Sequence, residues 1–270
     1  MTEAPATETP AAALDAARAA IDAVDDRLLA LIAERAGLSA RIAAAKGVVE
    51  GSPLRPAREA QILRRLIAQA PAGLDPTLIV DVWRALIADN TRRQKCVEVF
   101  TGGASDHVRL FDLARRHFGA AARITRLEDA RATLNRMLDV PAAAAVLPFP
   151  AKSGQGSWWP ILSERRFHDT LLIAVLPMRD DGHDPEAAVL TRGAPLEPSG
   201  RDISVAIAFD PHHRLTRGLN EAALPGKEIA RANATVLIQF ETFVAPDDPR
   251  LTILGKGLDG LRVVGSYARV

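Results

Sequence analysis

The chain has 270 residues, 48% of them hydrophobic, and a formal net charge of +1 at pH 7. This length suits two or three domains with a sizeable core. A net charge near zero excludes a global field that would recruit nucleic acid or an anionic membrane, so we predict neither as a partner. The single Cys96 excludes an internal disulfide framework and a multi-cysteine metal site. We expect this cysteine to be a small buried residue.

The first eleven residues predict a disordered tail. They are rich in Ala, Pro and Thr, and they carry acidic residues where a secretory signal would have basic ones. No apolar run in the chain approaches the length that crosses a bilayer. Together with the lone cysteine, these features predict a cytoplasmic protein.

Residues 12–46 predict one long amphipathic helix. Arg18, Arg35 and Lys46 lie on or beside its apolar stripe, and long cations among buried apolar side chains need an anionic partner. We therefore expect that partner to be a ligand, and the helices together predict a pocket for a small dianion. The stripe residues recur at helical spacing and are expected to be buried; they are Leu14, Ile21, Val24, Leu28, Leu31, Ile32, Leu38 and Ile42.

The spacing of these cations constrains assembly. Arg18 and Lys46 are four heptads apart, which corresponds to roughly 40 Å along a helix, so one small ligand cannot touch both within one chain. Arg35 and Lys46 are only about three turns apart and could flank a single ligand. If Arg18 belongs to the same site, it comes from a second protomer whose helix runs antiparallel. The sequence therefore predicts an isologous homodimer with two composite sites.

Two shorter helices follow, over residues 54–66 and 76–94. The first places Arg55, Arg58 and Glu59 beside an apolar face, and the second ends in Asn90 and Gln94. A break around residues 47–53 separates the first from the long helix. A cap at residue 75, followed by proline, begins the second. The pattern over residues 12–96 therefore predicts an all-helical domain with a polar pocket.

From residue 97 onward the pattern becomes mixed. Residues 97–200 predict an alternating α/β segment, and residues 201–270 predict a small α+β sandwich in the order β-α-β-α-β. The whole chain is therefore predicted to be multi-domain. The predicted strands are 97–100, 143–147, 170–176, 186–190, 203–209, 235–243 and 261–267, and the predicted helices are 108–118, 127–138, 215–223 and 248–258.

The helical part resembles the all-helical, or type II, chorismate mutases over about one third of the chain. The resemblance implies an intertwined homodimer that binds chorismate and releases prephenate. The matching positions, in order, are Arg18-x-x-Ile21-Asp22-x-x-Asp25, Leu28-Leu29-x-Leu31-Ile32-x-x-Arg35, Lys46, Arg58-Glu59 and Asn90-x-x-x-Gln94.

The resemblance implies a catalytic role for four of these residues. Arg18 from the second protomer and Arg35 would bind the two carboxylates. Lys46 would bridge a carboxylate and the ether oxygen, and Gln94 would donate to the same ether oxygen. The reaction is a unimolecular pericyclic rearrangement that needs no nucleophile, metal, cofactor or proton transfer. Charge and positioning alone can accelerate it.

The resemblance also assigns residues that bind substrate without carrying the chemistry. Glu59 would accept a hydrogen bond from the ring hydroxyl, and Asn90 stands near a carboxylate where family members often have serine. Arg55 occupies a substrate-binding position at which the family commonly has an aspartate. Arg58 is expected to be mainly structural.

Residues 97–200 resemble a reduced prephenate dehydratase segment, as found after the mutase in bifunctional enzymes. The resemblance rests on Phe100-Thr101-Gly102-Gly103, Ser105-x-His107 and Ala145-Val146-Leu147-Pro148. The segment is too short for that domain's second lobe. The nearest remnant of its catalytic threonine motif is Thr191-Arg192-Gly193. We therefore expect this segment to be catalytically silent.

Residues 201–270 resemble an ACT domain, the amino-acid sensor at the end of such enzymes. Ile238-Gln239-Phe240-Glu241 and Val263-Val264-Gly265-Ser266-Tyr267 are among the residues that carry the resemblance. Where phenylalanine sensors place Gly-Ala-Leu, this chain has His213-Arg214-Leu215. Whether a product regulates the chain is left open.

The leading interpretation is a cofactor-free chorismate mutase of the shikimate pathway, serving phenylalanine and tyrosine synthesis. Two alternatives stay open. One is an amino-acid-sensing or interaction protein whose helical domain only dimerises. The other is a bifunctional chorismate mutase/prephenate dehydratase.

Overall fold

A computed structural model describes residues 9–46, 52–179 and 182–270. The chain divides into two compact units, Met1–Val48 and Val49–Val270. The predicted tail, residues 1–11, lies mostly outside the described residues, although Pro10 and Ala11 are helical. Most of the predicted break at 47–53 also lies outside them. The domain limits 12–96, 97–200 and 201–270 stay predictions.

The described part of the first unit is one helix, α1 (Pro10–Lys46), of 37 residues. Its length confirms the long helix that the apolar spacing predicts. Its stripe residues, however, are between 42% and 60% exposed. The stripe is therefore not buried within the single chain, and its burial in a dimer stays a prediction.

The second unit begins with α2 (Pro56–Gln69) and α3 (Pro76–Gln94). The Asp75 carboxylate accepts a hydrogen bond from the Thr77 amide at 2.8 Å, which confirms the predicted cap of α3. Arg64 of α2 donates to the carbonyl and hydroxyl oxygens of Ser199 at 2.9 and 2.6 Å. These bonds tie α2 to a loop far along the chain.

The next part of the second unit alternates strands and helices. Strand β1 pairs in parallel with β2 and β3, while β5 pairs antiparallel with both β3 and β4. Two 3-10 helices connect β3 to β4. The elements are β1 (Glu98–Thr101), α4 (His107–Phe118), β2 (Arg123–Arg126), α5 (Ala130–Asp139), β3 (Ala143–Pro148), the 3-10 helices Gly154–Ser163 and Arg165–Phe167, β4 (Thr170–Leu176) and β5 (Ala187–Arg192).

The C-terminal part contributes four antiparallel strands and two short helices. Strand β6 lies between β8 and β9, and β7 pairs with the other side of β8. Strand β7 is absent from the predicted order β-α-β-α-β. The elements are β6 (Asp202–Phe209), α6 (Leu215–Glu221), β7 (Gly226–Ala232), β8 (Thr235–Phe240), α7 (Pro249–Leu254) and β9 (Asp259–Ala268).

All nine strands of the described chain form one mixed sheet, in the order β2-β1-β3-β5-β4-β9-β6-β8-β7. Its two halves meet where β4 and β9 run parallel, with Leu172 opposite Gly265. A Cβ at residue 265 would lie 2.1 Å from the Leu172 carbonyl oxygen, so the junction requires glycine. The predicted mixed class is confirmed, and the C-terminal strands are one half of a continuous sheet.

Both faces of the sheet are covered, as expected for buried strands. Along β3, Ala145 and Leu147 pack into a core with Trp159 and helix α5, whereas Ala144 and Val146 pack into a second core with residues of α2 and α4. A third core lies under α6 and α7. Helices α2, α3 and α4 therefore form a layer that contains the candidate residues of the second unit.

Candidate functional site

The first unit carries three of the predicted site cations on α1. Arg18 is exposed, and its guanidinium lies 3.3 Å from the Asp15 carboxylate. Arg35 is half-buried, and burial lowers the pKa of its guanidinium. Lys46 is the last residue of α1, and its side chain lies outside the described residues. The rise of one helix separates Arg18 from Lys46 by about 42 Å.

In the second unit, Glu59 is the buried centre of a network. Its carboxylate forms an ion pair with Nη1 of Arg84, and both side chains are less than 10% exposed. The Arg84 Nη2 atom also donates to the backbone carbonyl of His117 at 2.6 Å. A single guanidinium therefore joins α2, α3 and α4.

His117 belongs to this network through its backbone carbonyl, which accepts from Arg84. The His117 side chain is buried, and desolvation, followed by the charge of Arg84, lowers its pKa well below the ordinary value. A small cavity of about 30 Å³ touches Glu59, Arg84 and His117. Sequence reasoning missed both Arg84 and His117, and the one available signal was an arginine on the apolar face of α3.

The other predicted residues of this unit lie elsewhere. Asn90 is half-buried and Gln94 is exposed, one turn apart on α3, and neither lines the cavity at Glu59. Arg55 donates to the carbonyl oxygens of Ser52 and Leu54 at 2.6 and 2.8 Å. The structure thus groups Glu59 with two unpredicted residues, and it uses Arg55 to hold the chain that enters α2.

Arg58 is exposed and donates a long hydrogen bond, 3.5 Å, to Gln61. No group of three or more His, Cys, Asp or Glu side chains in the described part of the chain could hold a metal ion. Nor is any described helix both long and apolar enough to span a membrane. The helices therefore present cations, an amide and a buried carboxylate.

Along the chain, a long helix that carries cations is followed by two shorter helices with polar side chains. Residues 17–95 match the family model described as chorismate mutase type II. The helical part of the chain therefore matches the type II chorismate mutases, a family of isomerases that convert chorismate to prephenate. This match confirms the resemblance that the helical motifs indicate.

Comparison with solved structures gives three distant likenesses. A prephenate dehydratase from Streptococcus mutans is 14% identical, with a TM-score of 0.42, over 64% of this chain and 100% of that chain. A prephenate dehydratase from Arthrobacter aurescens in complex with L-Phe is 13% identical, with a TM-score of 0.46, over 63% and 90%. GqqA, a quorum quenching acylase, is 14% identical, with a TM-score of 0.42, over 65% and 96%. No curated protein sequence matches this chain.

Proposed function

We propose that the chain acts as a cytoplasmic, homodimeric chorismate mutase whose two sites each combine cations from both protomers. The observation that supports a dimer is the exposed apolar stripe of α1. Its large apolar side chains are 42–60% exposed in the single chain, and a second α1 packed against it would remove them from water. An antiparallel pair would also bring Arg18 of one protomer toward Arg35 and Lys46 of the other.

The proposed chemistry is positioning and electrostatic stabilisation. Arg18 and Arg35 hold the two carboxylates in the reactive folded conformer, which lowers the entropic part of the barrier. Lys46 and Gln94 donate to the ether oxygen, where negative charge develops as the bond to carbon breaks. Lys46 contributes more than Gln94, because a charge-assisted hydrogen bond is stronger than a neutral one.

Glu59 is assigned to the ring hydroxyl. An ionised carboxylate only accepts hydrogen bonds and has sites for several, so the ion pair with Arg84 leaves capacity for a hydroxyl donor. Arg55 already donates to two backbone carbonyls, which supports a structural role for it and leaves the hydroxyl to Glu59. Asn90 is assigned to the vicinity of a carboxylate.

We infer that the dehydratase-like segment is catalytically silent. The Thr191 hydroxyl, in the nearest remnant of the threonine motif, is buried and donates to the Ala143 carbonyl at 2.7 Å. Gln155 closes the loop after β1, because its Oε1 accepts from the Ser105 amide at 2.9 Å and its Nε2 donates to the Ser105 hydroxyl at 2.5 Å. These bonds support loss of the dehydratase reaction.

The ACT-like end is assigned a structural or regulatory role. The loop that replaces the Gly-Ala-Leu of phenylalanine sensors is held by Asp210, which accepts from the amides of Arg214 and Leu215 and from the Arg231 guanidinium. Burial would raise the pKa of Asp210, but these donors outweigh it and the pKa lies below the usual range.

The experiment that tests this proposal monitors the loss of chorismate absorbance and measures prephenate and phenylpyruvate separately. Prephenate should accumulate without phenylpyruvate, and Lys46→Ala should lower turnover by at least about a hundredfold, because it removes a donor from the ether oxygen. Lys152→Ala, at an exposed loop position, is the matched control and should keep wild-type turnover.

Circular dichroism of both variants checks that the helices persist. Unchanged turnover in Lys46→Ala would end the catalytic assignment. A wild-type chain with no turnover above the uncatalysed rate would favour the amino-acid-sensing or interaction protein instead. Phenylpyruvate as a product would restore the bifunctional alternative.

A further inference from the structure

The second unit contains a cavity of about 260 Å³ among α3, α4 and the residues that follow β4. It is distinct from the small cavity at Glu59, although Arg84 and His117 touch both. Part of its lining is apolar, and three of the apolar residues are buried core side chains. This apolar part consists of Val80, Leu113, Leu176, Pro177 and Met178.

The same cavity has an excess of cations in its lining. Among the described residues that line it there are four guanidinium groups and one carboxylate, that of Asp81. The arginines are Arg84, Arg109, Arg116 and Arg179. An apolar lining combined with guanidinium groups is the composition expected of a pocket that fixes one charged end of a small ligand.

Two of these arginines keep donor capacity for a ligand. Arg116 directs Nε to the Asp112 carboxylate at 3.1 Å, and its side chain is otherwise 66% exposed. Arg179 donates from Nη1 to the Thr77 hydroxyl, a neutral partner. Each guanidinium carries five N–H donors, so both can still form a forked pair with a carboxylate.

The other two arginines already have carboxylate partners, but Arg84 keeps one donor that is not hydrogen-bonded within the described chain. Arg109 is paired in a forked arrangement with Glu186, and Arg84 is paired with Glu59. Arg84 is only 7% exposed, and its buried Nε atom has no hydrogen-bond partner among the described residues. A buried donor without a partner costs free energy, so a polar atom from a bound molecule would stabilise this arrangement.

We propose that this cavity binds a small carboxylic acid with an apolar body. Its volume lies just below that of drug-sized pockets, which begin at about 300 Å³, and this favours a compact molecule. The carboxylate would pair with Arg116 and Arg179 at the rim, while the apolar body would contact Val80 and the buried side chains behind it. A bare inorganic anion would leave that apolar lining uncovered.

Occupancy of the cavity would reach the mutase helices through Arg84, because the same guanidinium holds Glu59. This consequence rests on the proposed function, whereas binding itself does not. The test therefore measures binding directly and does not use turnover.

The experiment is isothermal titration calorimetry of the full chain with 3-phenylpropionate. Its amide, 3-phenylpropionamide, keeps the shape without the charge, and inorganic phosphate keeps a charge without the apolar body. Saturable binding of the acid, with the amide and phosphate at least about tenfold weaker, is the expected result, since one charge-assisted hydrogen bond accounts for a factor of that order.

Variants then locate the binding. Arg116→Gln combined with Arg179→Gln should weaken the acid at least about tenfold, and both side chains are exposed enough for the fold to survive. Arg165→Gln, an exposed arginine outside the cavity lining, should not change the affinity. Lys46→Ala should also leave it unchanged, which separates this cavity from the mutase site.

Absence of saturable binding would overturn the proposal. So would an affinity that is unaffected by the double substitution, because the acid would then be bound elsewhere. Loss of affinity in Lys46→Ala would show binding at the mutase site and would equally reject this cavity.

Discussion

A buried ion pair stabilises a fold only while both charges are present. Glu59 and Arg84 are each less than 10% exposed, so removing either partner leaves a charge without solvent or counter-ion. Arg84 additionally holds the carbonyl of His117, and therefore one residue supports the contact of three helices. The Glu59 carboxylate is positioned by this pairing, which in turn constrains any substrate contact it makes.

We therefore expect Arg84→Met to lower the free energy of unfolding of the second unit by about 3–5 kcal/mol. The physical reason is the uncompensated Glu59 carboxylate together with the lost donor to His117. Urea unfolding followed by circular dichroism measures the effect. The combined Glu59→Leu and Arg84→Met variant should lose less than Arg84→Met alone, because it removes both charges.

Arg92→Gln provides the matched control at the surface. Arg92 pairs with Asp89 at 2.6 Å on the same helix, but its side chain is 49% exposed. The expected loss is below about 1 kcal/mol. Equal losses in the Arg84 and Arg92 variants would contradict the structural weight given to the buried pair.

Single residues were also where sequence reasoning was weakest. Periodicity identifies which face of α3 is apolar, but it does not reveal that Arg84 on that face has a carboxylate partner on another helix. Likewise, Cys96 was expected to be buried, and that prediction is wrong because it follows the end of α3 and is exposed. Pairing and exposure of individual side chains depend on tertiary contacts, which a local pattern does not contain.

At the scale of elements, strong local signals gave accurate bounds. The helix predicted over 76–94 has those bounds in the structure, since Asp75 caps it and Pro76 occupies its first turn. Strands β2 and β7 were missed. Strand β2 is four residues long and mostly exposed, and β7 has exposed charged residues at Lys227 and Glu228, so neither shows the apolar pattern of a strand.

The junction between β4 and β9 depends on Gly265. We predict that Gly265→Ala lowers the free energy of unfolding by about 1–3 kcal/mol or more, because the new methyl group would lie against the Leu172 backbone carbonyl, which cannot move without separating the strands. Chemical unfolding of the full chain, followed by tryptophan fluorescence, measures the change.

Gly218→Ala is the matched control. There a Cβ would lie 2.8 Å from a terminal methyl of Leu254, which can rotate away, and alanine favours the helical backbone of α6. Its effect should stay within about 1 kcal/mol. If Gly265→Ala proved as mild as Gly218→Ala, the tight contact at the junction would be refuted.

At the scale of the molecule, the class was predictable and the connections were not. The motifs on α1, α2 and α3 identified the mutase, because cations and amides at fixed helical spacing are a local property of sequence. That the C-terminal strands continue the same sheet depends on one registered pair, Leu172 with Gly265, whose members are far apart in the chain. The hydrophobic periodicity within each segment does not predict that the two strands pair.

The proposed composite site makes a prediction about mixed dimers. Suppose Arg18→Ala and Lys46→Ala chains, each inactive as a homodimer, are co-expressed with different affinity tags and the heterodimer is isolated. One site then lacks both side chains, whereas the other receives Arg18 from one protomer and Lys46 from its partner, both intact. The heterodimer should therefore recover about half of wild-type chorismate turnover, because one of two isologous sites is complete.

A second pair of variants distinguishes this arrangement from nonspecific rescue. Arg35 and Lys46 are separated by about three turns of one helix and are proposed to serve the same site from the same chain. In a heterodimer of Arg35→Ala with Lys46→Ala, each site keeps one defect, so turnover should stay at the level of the inactive homodimers. Recovery in both heterodimers, or in neither, would contradict the exchange of Arg18 across the dimer. Recovery in the first alone would place Arg18 opposite Lys46 of the other protomer.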